Sequence, residues 1–571
     1  MKGIQFFTED AESKNVASKV NLSVLTDLNQ GFDEPDLIDD IDINTLNKRD
    51  KKILIIQDPV ARFISNYKKL IEDGVLSSAE PLSEPNLATL PKSPSLEYFI
   101  DNLESYEAIP EVHQRIHSLK KILNGKSLDF FNHIYKTHNI ESLLRSLPNE
   151  ASLRIKALIP FFSTEIPKLS SERLNKLLSF YEDDFNLLLG YYSRISTIEY
   201  HTEKCFSVIS SDLEVRPFII WTFRRAGGTN LASAMFKESY YSPIEHEPFN
   251  SDRVWGDAVI DWINTKDTIL LFKKIHQCLA EKRLIKHCME IMPSTLNAAL
   301  MELSIRHGYN HVFLYREHPT DRLLSLNYAS LTGIWGPIQK KEIRVDESIF
   351  DTPIDIDKLL GHEKVCRQKM RSIYKALKIS GQAPINLSFE QLYENKSFEH
   401  SKYLVKNTFE NLSINPASLT AGFFSKTLKR GSQGTKNDYT RFPGAEEFIQ
   451  ESKKLPSFLL NKAPAKVASE KIENILHFEV WKPVNSARPD EFFLTGILLT
   501  ENESELRAYN QGSNLEINAE FNLHSQRIKS LFPSIKSASN CRFIIGPISR
   551  GASITIEESQ NNSPIAKFHI K

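Results

Sequence analysis

Arg224-Arg225-Ala226-Gly227-Gly228-Thr229-Asn230 directly follows the apolar run Phe218-Ile219-Ile220-Trp221. The order predicts a buried strand, a glycine turn, and a helix that starts at Thr229 and continues through Leu231, Met235 and Phe236. Glycines let successive backbone N–H groups and a helix N-terminus converge on one anion, and two arginines add charge. One reading is a cradle for phosphate or sulfate. The other is a tight strand–helix turn carrying surface arginines. The Gly-Lys-Ser/Thr ending that sets a lysine on a γ-phosphate and a hydroxyl on magnesium is missing, so this is not a nucleotide-triphosphatase loop.

A second junction of the same kind lies downstream. His311-Val312-Phe313-Leu314-Tyr315-Arg316 is an apolar strand ending on an arginine, and it runs into Glu317-His318-Pro319-Thr320-Asp321-Arg322-Leu323-Leu324-Ser325. Pro319 suits a first helical turn. Arg316 and Ser325 are nine positions apart, a spacing that lets a strand-end guanidinium and a helix hydroxyl meet at one phosphate. The chain continues Leu326-Asn327-Tyr328-Ala329-Ser330-Leu331-Thr332-Gly333-Ile334-Trp335.

Together these residues resemble the sulfotransferases that use 3′-phosphoadenosine 5′-phosphosulfate (PAPS), and most closely the bacterial trehalose 2-sulfotransferase family. The first loop is similar to that family's Arg-Ser-Gly-Ser-Thr phosphosulfate loop and to the Lys-Thr-Gly-Gly-Thr loop of carbohydrate sulfotransferases. The second junction resembles the 3′-phosphate site, with its Thr-Gly-x-Trp tail at Thr332, Gly333 and Trp335. Pro243-Ile244-Glu245-His246-Glu247-Pro248-Phe249-Asn250 resembles the Pro-x-Glu-Phe-Phe segment that carries the family's general base. Leu284-Ile285-Lys286-His287-Cys288-Met289 resembles the Gly-Lys-Leu-Met segment, and Leu428-Lys429-Arg430-Gly431-Ser432 the basic glycine loop that closes over the nucleotide.

The resemblance implies roles for particular residues. Arg224, Arg225, Gly227, Gly228, Thr229 and Asn230 would bind the 5′-phosphosulfate, with Arg225 also stabilising the departing charge. Arg316 and Ser325 would hold the 3′-phosphate, and Lys429, Arg430 and Gly431 would cover the nucleotide. Glu247 would be the base, with Glu245 as its rival because one residue is inserted before Glu247. Its alternative is a loop glutamate near a helix end. Lys286 is either a ligand of donor or acceptor or a solvated lysine. Pro319 and Arg322 also fit the Arg-Asp-Pro-x-x-Arg-x-x-Ser wording of other sulfotransferases, with Glu317 in place of the first arginine, so either Arg316 or Arg322 stands as the 3′-phosphate arginine. The implied co-substrate is PAPS, without a metal. The implied acceptor is a hydroxyl of a saccharide or glycoconjugate.

The start of the chain repeats the pattern in altered form. Lys51-Lys52-Ile53-Leu54-Ile55-Ile56-Gln57-Asp58-Pro59-Val60-Ala61-Arg62-Phe63-Ile64-Ser65 resembles the same carbohydrate-sulfotransferase wording, keeping Asp58, Pro59, Arg62 and Ser65 but replacing the first arginine by Gln57. Residues Ile4 to Ser18 align without a gap on Ile219 to Ser233, with Glu9, Asp10 and Glu12 falling where the second copy has Arg224, Arg225 and Gly227. Three carboxylates facing an anion in a confined site cost on the order of several kcal/mol. Residues 1–205 are therefore expected to form a degenerate sulfotransferase-like domain without donor binding. Leu177-Leu178-Ser179-Phe180-Tyr181-Glu182-Asp183-Asp184-Phe185 resembles the C-terminal helix of carbohydrate sulfotransferases, with its Tyr-x-x-Asp-Phe. The competing reading is an amphipathic helix whose aromatics are core.

Composition sets the outer limits. A chain of 571 residues implies two to four domains. A net charge of −1 argues against bulk nucleic-acid binding and leaves any positive field local to a pocket. The five cysteines, Cys205, Cys278, Cys288, Cys366 and Cys541, show no zinc or disulfide spacing, which suits a reducing compartment. No window approaches the ~18 apolar residues of a membrane span, and a cytoplasmic location is expected. From Leu96 to Tyr192 the apolar spacing is mostly helical. From about Arg488, short runs with partial period-two alternation, such as Phe492 to Leu499 and Cys541 to Ile545, predict strands separated by polar turns.

The expected architecture is α/β. Tandem P-loop sulfotransferase-like domains, each a parallel sheet flanked by helices, span 1–205 and 206–482, and a small all-β sandwich spans 483–571. Two non-enzymatic readings stand beside the enzyme. One is a module that senses PAPS or its product 3′-phosphoadenosine 5′-phosphate (PAP). The other is a glycan-assembly scaffold with two relic sites.

Overall fold

The computed structural model describes residues 4–8, 23–25, 37–38, 51–78, 90–123, 127–131, 133–139, 141, 145, 166–203, 205–208, 215–227, 229–241, 244–394, 398–415, 419–428, 436–461, 467–471, 475–481, 483–486, 491–501, 504–513, 515–559 and 563–570. The chain divides into two compact units. The first takes Met1–Ile209, Trp255–Leu279 and Pro293–Arg306; the second takes Ser210–Val254, Ala280–Met292 and His307–Lys571.

In the first unit, β1 (Ile4–Thr8), β2 (Ser23–Leu25), β3 (Leu37–Ile38), β4 (Lys51–Ile56) and β5 (His133–Lys136) form one sheet in the order β3-β2-β1-β4-β5. β1, β4 and β5 are parallel neighbours, whereas β2 and β3 are antiparallel, so this sheet is mixed. Leu54, Ile55 and Ile56 of β4 are fully buried. The helix Pro59–Glu72 follows at once. Asp58 caps it by accepting from the N–H groups of Val60 and Ala61 at 3.0 and 3.1 Å, and Pro59 occupies the first turn.

The stretch expected to be helical from Leu96 to Tyr192 contains short helices and also β5. Four residues, His-Ile-Tyr-Lys, are too few to show strand alternation against a helical background. The expected helix through Leu177–Phe185 breaks at Tyr181 into Ser171–Phe180 and Glu182–Leu187. The helix Ser294–Arg306 belongs to this unit, although its sequence lies beyond residue 206. Its buried Glu302 accepts from Ser193 Oγ at 2.7 Å and Ile195 N at 3.3 Å and faces Arg194 at 3.8 Å.

In the second unit, β6 (Phe218–Thr222), β7 (Ile244–His246), β8 (Leu284–Cys288), β9 (Asn310–Tyr315) and β10 (Ile385–Ser388) form a sheet in the order β10-β9-β6-β8-β7. Every pairing is parallel. The central strands are buried on both faces, which is why they read as unbroken apolar runs rather than alternating ones. Phe218 and Ile220 pack with Leu231, Met235 and Phe236 of the helix Thr229–Glu238. On the other face Trp221 stacks on Phe313, which meets Tyr374 of the helix Ile356–Ile379 edge-on.

Beyond these lies an antiparallel region with two sheets. One joins β11 (Val467–Lys471), β15 (Leu506–Asn510), β16 (Leu515–Ile517), β19 (Ser553–Glu558) and β20 (Pro564–Ile570). The other joins β12 (Ile475–Val480), β13 (Val484–Asn485), β14 (Glu491–Thr500), β17 (Ala519–His524) and β18 (Asn540–Ser549). Their facing sides share a core of Leu494, Leu498, Ile545, Ile554 and Phe568. Strands β11 and β12, upstream of residue 483, pair into this region. Alternation sends Phe493 and Ile544 the opposite way, into the core that surrounds β6. There Phe493 lies edge-on to Tyr403, whose hydroxyl donates to Gly546 O at 2.7 Å.

Candidate functional site

The carboxyl ends of five parallel strands point one way, and strand order reverses about β6, the position at which open α/β sheets bind ligands. The loop after β6 is the stretch expected to cradle an anion. Arg225 and Gly227 have φ of 63° and 80°, and the helix begins at Thr229 as the sequence predicts. Gly227 is required by space as well as by dihedral, since a Cβ there would lie 2.5 Å from the Phe389 ring. Thr229 is exposed. Gly228, the Asn230 side chain, and Lys429, Arg430 and Gly431 lie outside the described residues, as do Glu9, Asp10 and Glu12.

The two loop arginines take different partners. Arg225 Nε donates to Ser325 Oγ at 2.6 Å, and another arm of its guanidinium donates to Trp335 O at 2.7 Å. Tyr439 OH also donates to Ser325 Oγ, at 2.9 Å. Residues a hundred positions apart therefore converge at one point. Arg224 turns instead to Glu290, whose Oε1 accepts from Arg224 N at 2.7 Å and Arg224 Nε at 3.0 Å. The Glu290 side chain is 1 % exposed, so one arginine of the pair is already neutralised. Sequence reasoning missed Glu290. Its only signal was an acid just after β8, directly behind Met289.

Arg316 lies 3.8 Å over the face of Phe389, the ring that also packs against Gly227. Arg322 is buried in an ion pair with Glu363, which also accepts from Arg367 Nε at 2.6 Å. That leaves Arg322 in a structural role and Arg316 as the more accessible arginine of the second junction.

Glu247 follows β7 with φ of 57°. Its N–H donates to Lys286 O at 2.7 Å. Lys286 Nζ and Cys288 Sγ donate to its Oε1 at 2.8 and 3.2 Å, and Asn250 Nδ2 donates to Oε2 at 3.1 Å. Glu245 pairs with Arg283 instead. Burial pushes the Glu247 carboxyl up, but the Lys286 ammonium and the three side-chain hydrogen bonds outweigh it and hold it at about 2. Lys286 is not solvated. Burial opposes its charge, yet the Glu247 carboxylate that accepts its hydrogen bond keeps its pKa above the ordinary value.

Because the folded Glu247 titrates below its unfolded value of 4.5, it contributes stability that is whole above pH 4.5 and lost as pH falls towards 2. Linkage gives about 2 kcal/mol lost between pH 6 and pH 3. Urea unfolding at those two pH values should show a loss in the wild type larger by that amount than in Glu247→Gln.

At the corresponding junction of the first unit, described side chains pair with one another. Gln57 Nε2 donates to Ser65 Oγ at 3.5 Å. Arg62 is buried in an ion pair with Asp184, 5.2 Å over the Tyr181 ring. Asp184 also accepts from the N–H groups of Leu119 and Lys120 at 2.8 and 3.1 Å. The Arg62 segment and the Tyr181–Phe185 segment, read separately in the sequence, thus meet in space. Each unit buries its Pro-x-x-Arg arginine on an acid from a later helix.

Among the described residues no group of three or more His, Cys, Asp or Glu side chains could hold a metal ion, and no helix is long and apolar enough to cross a membrane. No protein-family model, curated protein or solved structure matches this chain.

Proposed function

We propose that the second unit is a PAPS-dependent sulfotransferase that moves a sulfuryl group onto a hydroxyl, in a saccharide or glycoconjugate. The single observation that carries this reading is the meeting of Arg225 with Ser325 at the carboxyl edge of the parallel sheet. The resemblance assigns those two residues to the 5′-phosphosulfate and the 3′-phosphate of one nucleotide. Arg225 and the amides of the Gly227–Thr229 turn bind the phosphosulfate and stabilise the charge that develops on the departing phosphate. Arg316 and Ser325 fix the nucleotide's orientation. Glu247 takes the proton of the acceptor hydroxyl as the acceptor oxygen bonds to sulfur and the sulfur–oxygen bond to the phosphate breaks. The products are a sulfate ester and PAP. The first unit, a degenerate relative in this reading, serves a structural or acceptor-positioning role, and the protein works in the cytoplasm, where the donor is made.

One observation favours a second reading, a PAPS- or PAP-sensing module. A carboxylate held at about 2 is a weak base as it stands. Calorimetric titration of PAP into the full chain, followed by transfer assays with labelled PAPS and a panel of sugars, decides between them. One-site binding together with a sulfated product supports the enzyme. Binding without product from any acceptor supports the sensor, and absence of binding overturns both.

A further inference from the structure

Lys286 lies two residues before the end of β8, in register with Ile220, which lies two residues before the end of β6. Its strand therefore borders the one that feeds the Arg224–Thr229 loop. Its ammonium sits on a flexible four-carbon stem and donates to Glu247 Oε1 at 2.8 Å. The other side-chain donors to Glu247, Cys288 and Asn250, are neutral and can hold the carboxylate in place without the lysine.

We propose that Lys286 is a latch: it holds Glu247 in an ion pair until the sulfuryl oxygens of a bound donor draw the ammonium away, and this release makes Glu247 a base. The inference rests on the sulfotransferase reading above. In the latched state Glu247 sits at about 2, far from the operating range of a general base. With the ammonium moved to the sulfuryl group, the strongest influence holding the carboxylate down is gone and its basicity rises. The same lysine then faces the group being transferred. Proton abstraction is thereby coupled to the presence of donor, and a donor-free site cannot deprotonate its acceptor.

The latch makes Glu247 and the donor's sulfuryl group competitors for one ammonium, which binding alone can test. PAPS carries the sulfuryl group and PAP lacks it. Glu247→Gln keeps the side chain's shape, removes its charge and prevents turnover. It should raise PAPS affinity about tenfold, the size of one charge-assisted hydrogen bond, and leave PAP affinity unchanged. Lys286→Met should lower PAPS affinity about tenfold, again sparing PAP, and Glu247→Gln should bring no gain in that background. PAP binding by the wild type with no PAPS-selective gain in Glu247→Gln, or a gain that survives Lys286→Met, would overturn the latch alone. Absence of PAP binding by the wild type would overturn the sulfotransferase reading and the latch with it.

Discussion

Arg225→Ala is expected to lower the affinity for PAP at least about a hundredfold in calorimetric titration. The Arg225 guanidinium donates to Ser325 Oγ and Trp335 O, whereas Arg224 is held by Glu290. Each hydrogen bond to a charged group contributes about 1.5–3 kcal/mol, and two arms on one phosphate reach that loss. Residue 225 keeps a side chain at the same positive φ, so backbone strain is unchanged, and any loss of stability comes from the missing hydrogen bonds to Ser325 and Trp335 O. Arg224→Ala should weaken PAP binding less, since Glu290 already holds that charge. Unaltered affinity in Arg225→Ala would place the nucleotide away from this loop.

Asp184→Ala should cost the first unit about 3–5 kcal/mol, because it strands the buried Arg62 guanidinium without its counter-charge. It also removes the acceptor for the N–H groups of Leu119 and Lys120. Urea unfolding of the full chain measures the loss. The double variant Arg62→Met/Asp184→Asn should recover part of it, since no unpaired charge remains, while the single asparagine oxygen can accept from only one of the two backbone N–H groups that Asp184 holds. A loss below about 1 kcal/mol, the range of an exposed pair, would mean that the pair does not hold the unit together. If the two predictions hold, the two copies of the Pro-x-x-Arg-x-x-Ser pattern share a structural arginine and differ in what meets the serine: Gln57 in one, Arg225 in the other.

The strand–turn–helix at Phe218–Glu238 and the strand–helix at Asn310–Thr332 were legible from their residues. In each case the signals are local: an apolar run, a glycine or proline at the junction, then helical spacing. The antiparallel region was legible from short apolar runs such as Phe492–Leu499 set between polar turns; that strand is buried on both faces, with Phe493 and Leu494 in different cores. β5 was not, because four residues carry too little pattern. Glu247 and Lys286 were each legible as candidates, but not as partners.

Local conformation was thus determined by the sequence alone, because φ, ψ and burial preferences depend on residues a few positions apart. The tertiary structure decided which charges pair with which. Glu290 on Arg224, Glu363 on Arg322, Asp184 on Arg62 and Lys286 on Glu247 pair residues between 39 and 122 positions apart. Strand order and helix packing bring them together, and only burial away from water makes such pairings strong enough to change what each residue can do. The same long-range packing draws the helix Ser294–Arg306 into the first unit, through a buried glutamate whose partners lie a hundred residues earlier in the chain.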